Sequence, residues 1–150
     1  MTQILSPPQK VILQAEHDAK IEMDIADSVF STFGSAVHQV FELGAAENHV
    51  LEERLFLDFN GWNISGQIDC QVINPDDSIS LIDTKVTSSW SVIQAADKVE
   101  WIQQLNTYAY LVESVKNKKV KDLNIFAIVR DWKKRDAQLK DDYPQQPLRS

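Results

Sequence analysis

Residues 64–86 read Ile64-Ser65-Gly66-Gln67-Ile68-Asp69-Cys70-Gln71-Val72-Ile73, then Asn74-Pro75-Asp76-Asp77-Ser78, then Ile79-Ser80-Leu81-Ile82-Asp83-Thr84-Lys85-Val86. In the first block Ile64, Gly66, Ile68, Cys70 and Val72 alternate with Ser65, Gln67, Asp69 and Gln71, the period-two pattern of a strand with one polar face. The middle block is turn chemistry, since Asn, Asp and Ser fold back on their own backbone and Pro presets φ. The last block reads as the returning strand of a hairpin. Centring the turn on Asp76 pairs residues whose numbers sum to 152, which sets Asp69 opposite Asp83 and Gln67 opposite Lys85, side chains about 5 Å apart on one face.

Two carboxylates directly opposed destabilise a sheet. Asp83 also sits inside the apolar run Leu81-Ile82-Asp83-Thr84-Lys85-Val86, where a carboxylate must neutralise or bind a cation. A divalent metal resolves the conflict. Magnesium takes oxygen ligands, commonly one or two carboxylates with water and phosphate in its remaining positions. Asp69, Asp83 and the main-chain carbonyl of Thr84 form such a set. Lys85 shares the face of Asp83, where its amine can orient water and meet charge growing on a phosphoryl oxygen. Asp69, Asp83 and Lys85 are therefore the candidate catalytic group, and the chemistry they suit is phosphodiester hydrolysis.

Upstream, Phe30, Phe33, Val37 and Phe41 recur at helical spacing, which predicts a helix from an Asp27 or Ser28 cap to about Leu43, stopped by Gly44. His38 flanks that stripe, one turn after Gly34. A mid-helix glycine costs roughly 1 kcal/mol relative to alanine and suggests a close approach. If the helix approaches the hairpin, His38 is a ligand, and its nitrogen favours manganese alongside magnesium. Residues 10–25 carry a looser stripe of Val11, Ile12, Ala15 and Ile21. Arg54–Phe59 reads as a strand ended by Gly61, and of the preceding pair Glu52 and Glu53 the second is the preferred extra ligand for a metal.

Downstream, Trp101, Leu105, Tyr108, Val112 and Val115 predict a long helix over Ser91–Lys116, with Gln104 and Tyr108 one turn apart on one face. Gln104 there can bind a phosphate or steady Lys85. Leu123–Val129 is a short apolar strand. The expected order is α-β-β-β-α-β, an α/β sandwich in a single domain over 1–150, with 1–9 and 141–150 extended or poorly ordered.

The net charge of −7 divides unevenly: residues 116–140 hold nine basic and three acidic side chains, leaving −13 elsewhere. Lys133, Lys134 and Arg135 in that segment are candidates for meeting DNA phosphates. One cysteine, Cys70, excludes an internal disulfide, a four-cysteine zinc site or an iron–sulfur cluster from this chain alone, and reads as a small buried hydrophobe. With no membrane-span or signal pattern, the expected location is cytoplasmic, or the host cytoplasm if the gene is phage-borne.

Taken in order, Gly34-Ser35-Ala36-Val37-His38, Gly66-Gln67-Ile68-Asp69, Asp83-Thr84-Lys85 and Gln104-Leu105-Asn106-Thr107-Tyr108 resemble the PD-(D/E)XK nuclease superfamily, in its RecB-like exonuclease branch with phage-type recombination nucleases. The resemblance covers roughly residues 30–130. It implies a restriction-endonuclease-like core with a mixed sheet flanked by helices. His38, Asp69 and Asp83 would be metal ligands, Lys85 the catalytic lysine, and Gln104 and Tyr108 a pair near DNA. It further implies one or two Mg²⁺ or Mn²⁺ ions, a DNA substrate, and a homo-oligomer or recombination partner. Aspartate stands at position 83 where glutamate is common, which shortens the reach by one methylene. A structure-selective endonuclease or a non-catalytic nucleic-acid-binding protein retaining the fold are the alternatives.

Overall fold

The computed structural model describes residues 6–20, 24–94 and 98–149; the readings placed on Ile21 and on the side chains of Asp27 and Phe30 lie outside it. Helix α1 (Pro8–His17) leads through a 3₁₀ turn (Asp18–Lys20) to α2 (Ile25–Leu43). Strands β1 (His49–Phe59), β2 (Trp62–Ile73) and β3 (Ile79–Thr87) follow. Next come α3 (Ser89–Gln94), α4 (Val99–Lys116), β4 (Val120–Val129), α5 (Lys134–Leu139) and β5 (Leu148–Arg149). The strands form one mixed sheet in the order β1-β2-β3-β4-β5, with β3 and β4 parallel and every other neighbour antiparallel.

Turn chemistry sets the first three strands. Asn60 and Gly61, with φ of +51° and +80°, form the two-residue loop that closes Phe59 onto Trp62. Both angles favour Asn and Gly and match the twist of a hairpin. At the second turn the Asp76 carboxylate accepts from the Ser78 N–H and hydroxyl, and Asn74 bridges Ser78 and Ser80. The register that follows is the one the turn predicts, with Cys70 opposite Ile82 and Ile73 opposite Ile79.

The ladder stops there, one residue short of the Asp69–Asp83 pair. Beyond Cys70 and Ile82, β2 continues along β1 while β3 continues along β4 through Thr87, so β2 and β3 fork. The Thr84 N–H, deprived of a ladder partner, is satisfied by the Asp69 carboxylate at 2.7 Å. The alternation in β2 breaks at the same level. Ile68 and Gln71, three apart, are both fully buried, and the β1–β2 register passes over Glu52, whose φ is +49°. Gln71 therefore does not share the exposed polar side expected of it with Asp69.

The core lies between the sheet and α4, where Leu55, Ile68, Ile79 and Leu81 meet Leu105, Tyr108, Leu111 and Val112. Each such side chain contributes about 1.5–3 kcal/mol through apolar burial. Leu111 completes this face and Val115, expected in it, is exposed. The predicted single helix over Ser91–Lys116 is divided between α3 and α4, because Lys98, at φ −76° and ψ 75°, is not helical. Asn117 closes α4 in the left-handed conformation, its N–H bonded to the Glu113 carbonyl. Helix α2 starts at Ile25, ahead of the expected cap, and meets the sheet where Phe41 packs edge-on against Phe126 at 5.3 Å.

The C-terminal stretch is tied down. Tyr143 is buried; its hydroxyl accepts from the Lys133 N–H and donates to the Asp131 carbonyl. The Trp132 indole donates to the Pro144 carbonyl, and Leu148 pairs with Ile128. At the other end, α1 already begins at Pro8, inside the stretch expected to be extended. Among the described residues no helix is long and apolar enough to cross a membrane.

Candidate active site

The fork between β2 and β3 gathers the polar side chains. Asp69 stands on β2 at its edge, Asp83 and Lys85 on β3, Glu52 at the positive-φ position within β1, and His38 descends from α2. His38 Nδ1 lies 2.9 Å from Glu52 Oε1 and 3.8 Å from Asp69 Oδ2. One ligand atom from each of His38, Glu52 and Asp69 fits within a 4.8 Å group. Glu52 is held from the other side by Gln67, whose Nε2 donates to Oε2 at 2.8 Å.

Asp83 is almost wholly buried. Its Oδ2 forms an ion pair with the Lys85 ammonium at 2.8 Å. Gln104 links this pair to α4: its Oε1 accepts from Lys85 Nζ at 3.1 Å, and its Nε2 faces Asp83 Oδ1 at 3.3 Å and the Tyr108 hydroxyl at 2.8 Å. Burial raises the Asp83 carboxyl above its ordinary value against the opposing charges of Lys85 and His38. Asp69 is pushed up to about 6, chiefly by burial and further by the Asp83 charge, while the Thr84 N–H, His38 and Lys85 hold it back. Burial likewise raises the Tyr108 hydroxyl, with the Gln104 hydrogen bond opposing.

These groups fit a divalent cation. Buried carboxylates that resist ionisation are what a cation relieves, and oxygen ligands with one imidazole suit a divalent metal. In an extended strand the N–H and C=O of one residue point to the same side. The Thr84 carbonyl therefore opens toward the fork as its N–H does.

The structure brings together His38, Asp69, Asp83, Lys85, Gln104 and Tyr108, and adds Glu52 in place of the expected Glu53. Glu53 lies elsewhere, accepting from Gln71 at 2.7 Å and from Lys116 at the end of α4. Burial raises the Glu53 carboxyl, but those two hydrogen bonds outweigh it and hold it below its ordinary value. A signal for Glu52 was present only in register: summing the hairpin around Asn60-Gly61 sets it opposite Asp69. Lys133, Lys134 and Arg135 are exposed at the start of α5, and none lies on an element carrying the cluster.

Two hollows meet at the cluster. A polar cleft of about 600 Å³ runs over His38, Glu52, Gln67 and Asp69 with Gly34 and Ser35 on its helix wall. A methyl group at Gly34 would meet nothing within 4 Å, so this glycine makes no close approach to the hairpin and instead leaves the cleft wall bare. The second hollow, about 220 Å³, is apolar and lined by Phe41, Leu51, Cys70, Ile82 and Phe126. Cys70 is half-buried there, and burial, with the Asp69 charge, raises its thiol above the ordinary value.

A family model described as the PD-(D/E)XK nuclease superfamily matches residues 45–147, which takes in strands β1 to β4 with α3 to α5 but neither His38 nor β5. The fold is similar to that in the crystal structure of SSO0001, with a TM-score of 0.63 and 20% identity over 87% of this chain. This chain spans 62% of the length of that one. No curated protein sequence matches it.

Proposed function

Because the chain belongs to the PD-(D/E)XK nuclease superfamily, whose members cut nucleic acid with divalent metals, we propose that it is a Mg²⁺- or Mn²⁺-dependent deoxyribonuclease that degrades DNA from an end in recombination or repair. The observation that carries the reading is the Asp83–Lys85–Gln104 group set beside the His38–Glu52–Asp69 cluster at one fork of the sheet.

His38, Glu52, Asp69 and Asp83, with the Thr84 carbonyl, would hold the metal. When bound, it polarises a phosphoryl oxygen and neutralises part of its charge. Lys85 does the rest at close range. Gln104 and Asp83 fix its nitrogen from two sides, so the ammonium meets developing negative charge without reorganising. Its remaining hydrogens hold the attacking water at the phosphorus. As the water oxygen bonds to phosphorus it releases a proton to solvent, the bond to the leaving sugar oxygen breaks, and that oxygen takes a proton from solvent. Tyr108, buried and bonded to Gln104, fixes the rotamer of Gln104 rather than reaching substrate. The open cleft beside Gly34 is the path for the strand being cut.

End-labelled linear duplex and closed circular DNA, each incubated with Mn²⁺, test this reading. Loss of label from the linear DNA with the circle intact is expected. Cutting of the circle would replace the exonuclease with an endonuclease, and no cutting of either would remove the nuclease.

A further inference from the structure

Arg54 lies on β1, two residues after Glu52, and is exposed. Its partners are neutral: Nη2 donates to Gln67 Oε1 at 2.8 Å and Nη1 reaches Ser65 Oγ at 3.5 Å. Gln67 turns its other end to the acidic cluster, donating to Glu52 Oε2 at 2.8 Å. One amide is thus interposed between guanidinium and carboxylate, where a direct ion pair would have cancelled the charge of both. Five lysines are spent differently. Lys85, Lys116, Lys118, Lys121 and Lys140 each face a carboxylate within ion-pair distance.

A guanidinium offers five N–H donors in a fixed plane that suits phosphate oxygens. Gln67 and Ser65 engage two of them. The fork is also close by, since Arg54 pairs with Gln67 across the β1–β2 ladder, two residues from Glu52 on one strand and from Asp69 on the other. The polar cleft runs over Gln67 itself, so a strand lying in it passes the residue that anchors Arg54.

We propose that Arg54 is a phosphate-binding residue of this cleft, held by Gln67 at the rim of the carboxylate cluster, where it takes a non-bridging oxygen of a backbone phosphate beside the one being cut. Gln67 is then a positioning residue: it aims the guanidinium outward and keeps it off Glu52. The inference rests on the nuclease reading for its ligand, a nucleic-acid backbone.

Binding of a short fluorescent oligonucleotide, followed by anisotropy with Ca²⁺ in the buffer across a series of NaCl concentrations, tests it with wild type, Arg54→Ala and Arg54→Lys. Arg54→Ala is expected to bind about tenfold more weakly and to lower the slope of log affinity against log salt by about one, as loss of a phosphate contact does. Arg54→Lys recovers the slope and only part of the affinity, because it keeps the charge and loses the fork. Uptake of Mn²⁺ by each protein alone, measured by calorimetry, stays as in wild type, which separates phosphate binding from support of the metal cluster. Unchanged affinity and slope in Arg54→Ala, or a loss matched by lost Mn²⁺ uptake, overturns the inference. Wild-type protein that binds DNA through Arg54 but cuts none with Mn²⁺ sinks the nuclease reading and leaves Arg54 standing. Protein that binds no DNA sinks both.

Discussion

Glu52 adopts a left-handed backbone conformation that costs a side-chain-bearing residue about 1–2 kcal/mol, and its carboxylate is shared by His38 and Gln67. Strain of that kind persists where the surroundings enforce it, and at functional sites it belongs to the mechanism. Glu53, its neighbour, has a structural part under α4. The two therefore separate by experiment. Glu52→Ala should weaken Mn²⁺ uptake in calorimetry, while Glu53→Ala should leave uptake intact and lower the melting temperature, since it orphans the buried Gln71 amide at roughly 1–3 kcal/mol. Equal Mn²⁺ uptake in wild type and Glu52→Ala would remove Glu52 from the metal cluster. Lys85→Ala should retain Mn²⁺ uptake and lose about a hundredfold or more in kcat, the range for a donor that meets charge in the transition state. Cleavage equal to wild type would identify a contaminating nuclease. Asp83 and Lys85 were legible because they interrupt an apolar strand, Asp69 because it stands on the polar side of an alternating one, and Gln104 because it keeps helical spacing with Tyr108. Glu52 was legible only through the β1–β2 register, because nothing local to the Glu52-Glu53 pair distinguishes one from the other.

At the scale of elements, the β2–β3 hairpin shows both the reach and the limit of a register argument. The Asn74–Ser78 turn fixes pairing from Ile73–Ile79 to Cys70–Ile82, as local turn chemistry must. Where the ladder ends depends on what else competes for β3. Its parallel pairing with β4 runs to Thr87, and that strand arrives from 33 residues beyond β3, beyond the reach of any local pattern. The fork is the consequence, and in place of the expected pair of facing carboxylates Asp69 caps the Thr84 N–H. The C-terminal stretch escaped for a related reason. Its Pro- and Gln-rich composition carries no period, yet Tyr143 and Leu148 lock onto the end of β4 through tertiary contacts. Tyr143→Phe should orphan the Lys133 N–H at about 1–2 kcal/mol and lower the melting temperature by about 3–5 °C. Truncation after Lys140 should cost more, and a truncated protein melting with wild type would show that the tail contributes nothing.

Over the whole molecule, an acidic body concentrates its least favourable charges at the fork. Asp69 holds its proton more tightly folded than unfolded, at about 6 against 3.8. Folding therefore takes up a proton between those values, and the stability this group contributes falls as pH rises through the window, with the penalty complete above about pH 6. Asp83 shifts in the same sense. The carboxyls of Glu53, Asp76 and Asp131 shift the other way, so their stabilisation is lost as pH falls below the ordinary carboxylate range. Metal-free protein should accordingly melt several degrees lower at pH 7 than at pH 5, Asp69→Asn should flatten most of that difference, and Mn²⁺ at pH 7 should restore the lost stability. A melting temperature that rises from pH 5 to 7 without metal would contradict the charge balance assigned to the fork.

The central claim is that this fork grips a divalent cation, and a crystal grown with Mn²⁺ and measured for anomalous scattering addresses it directly. A peak at coordination distance from His38, Glu52 and Asp69, with Asp83 or the Thr84 carbonyl completing the protein's share, is the predicted result. A fork without a peak while the crystal takes up manganese elsewhere, or side chains that keep their metal-free hydrogen bonds in saturating Mn²⁺, would contradict it.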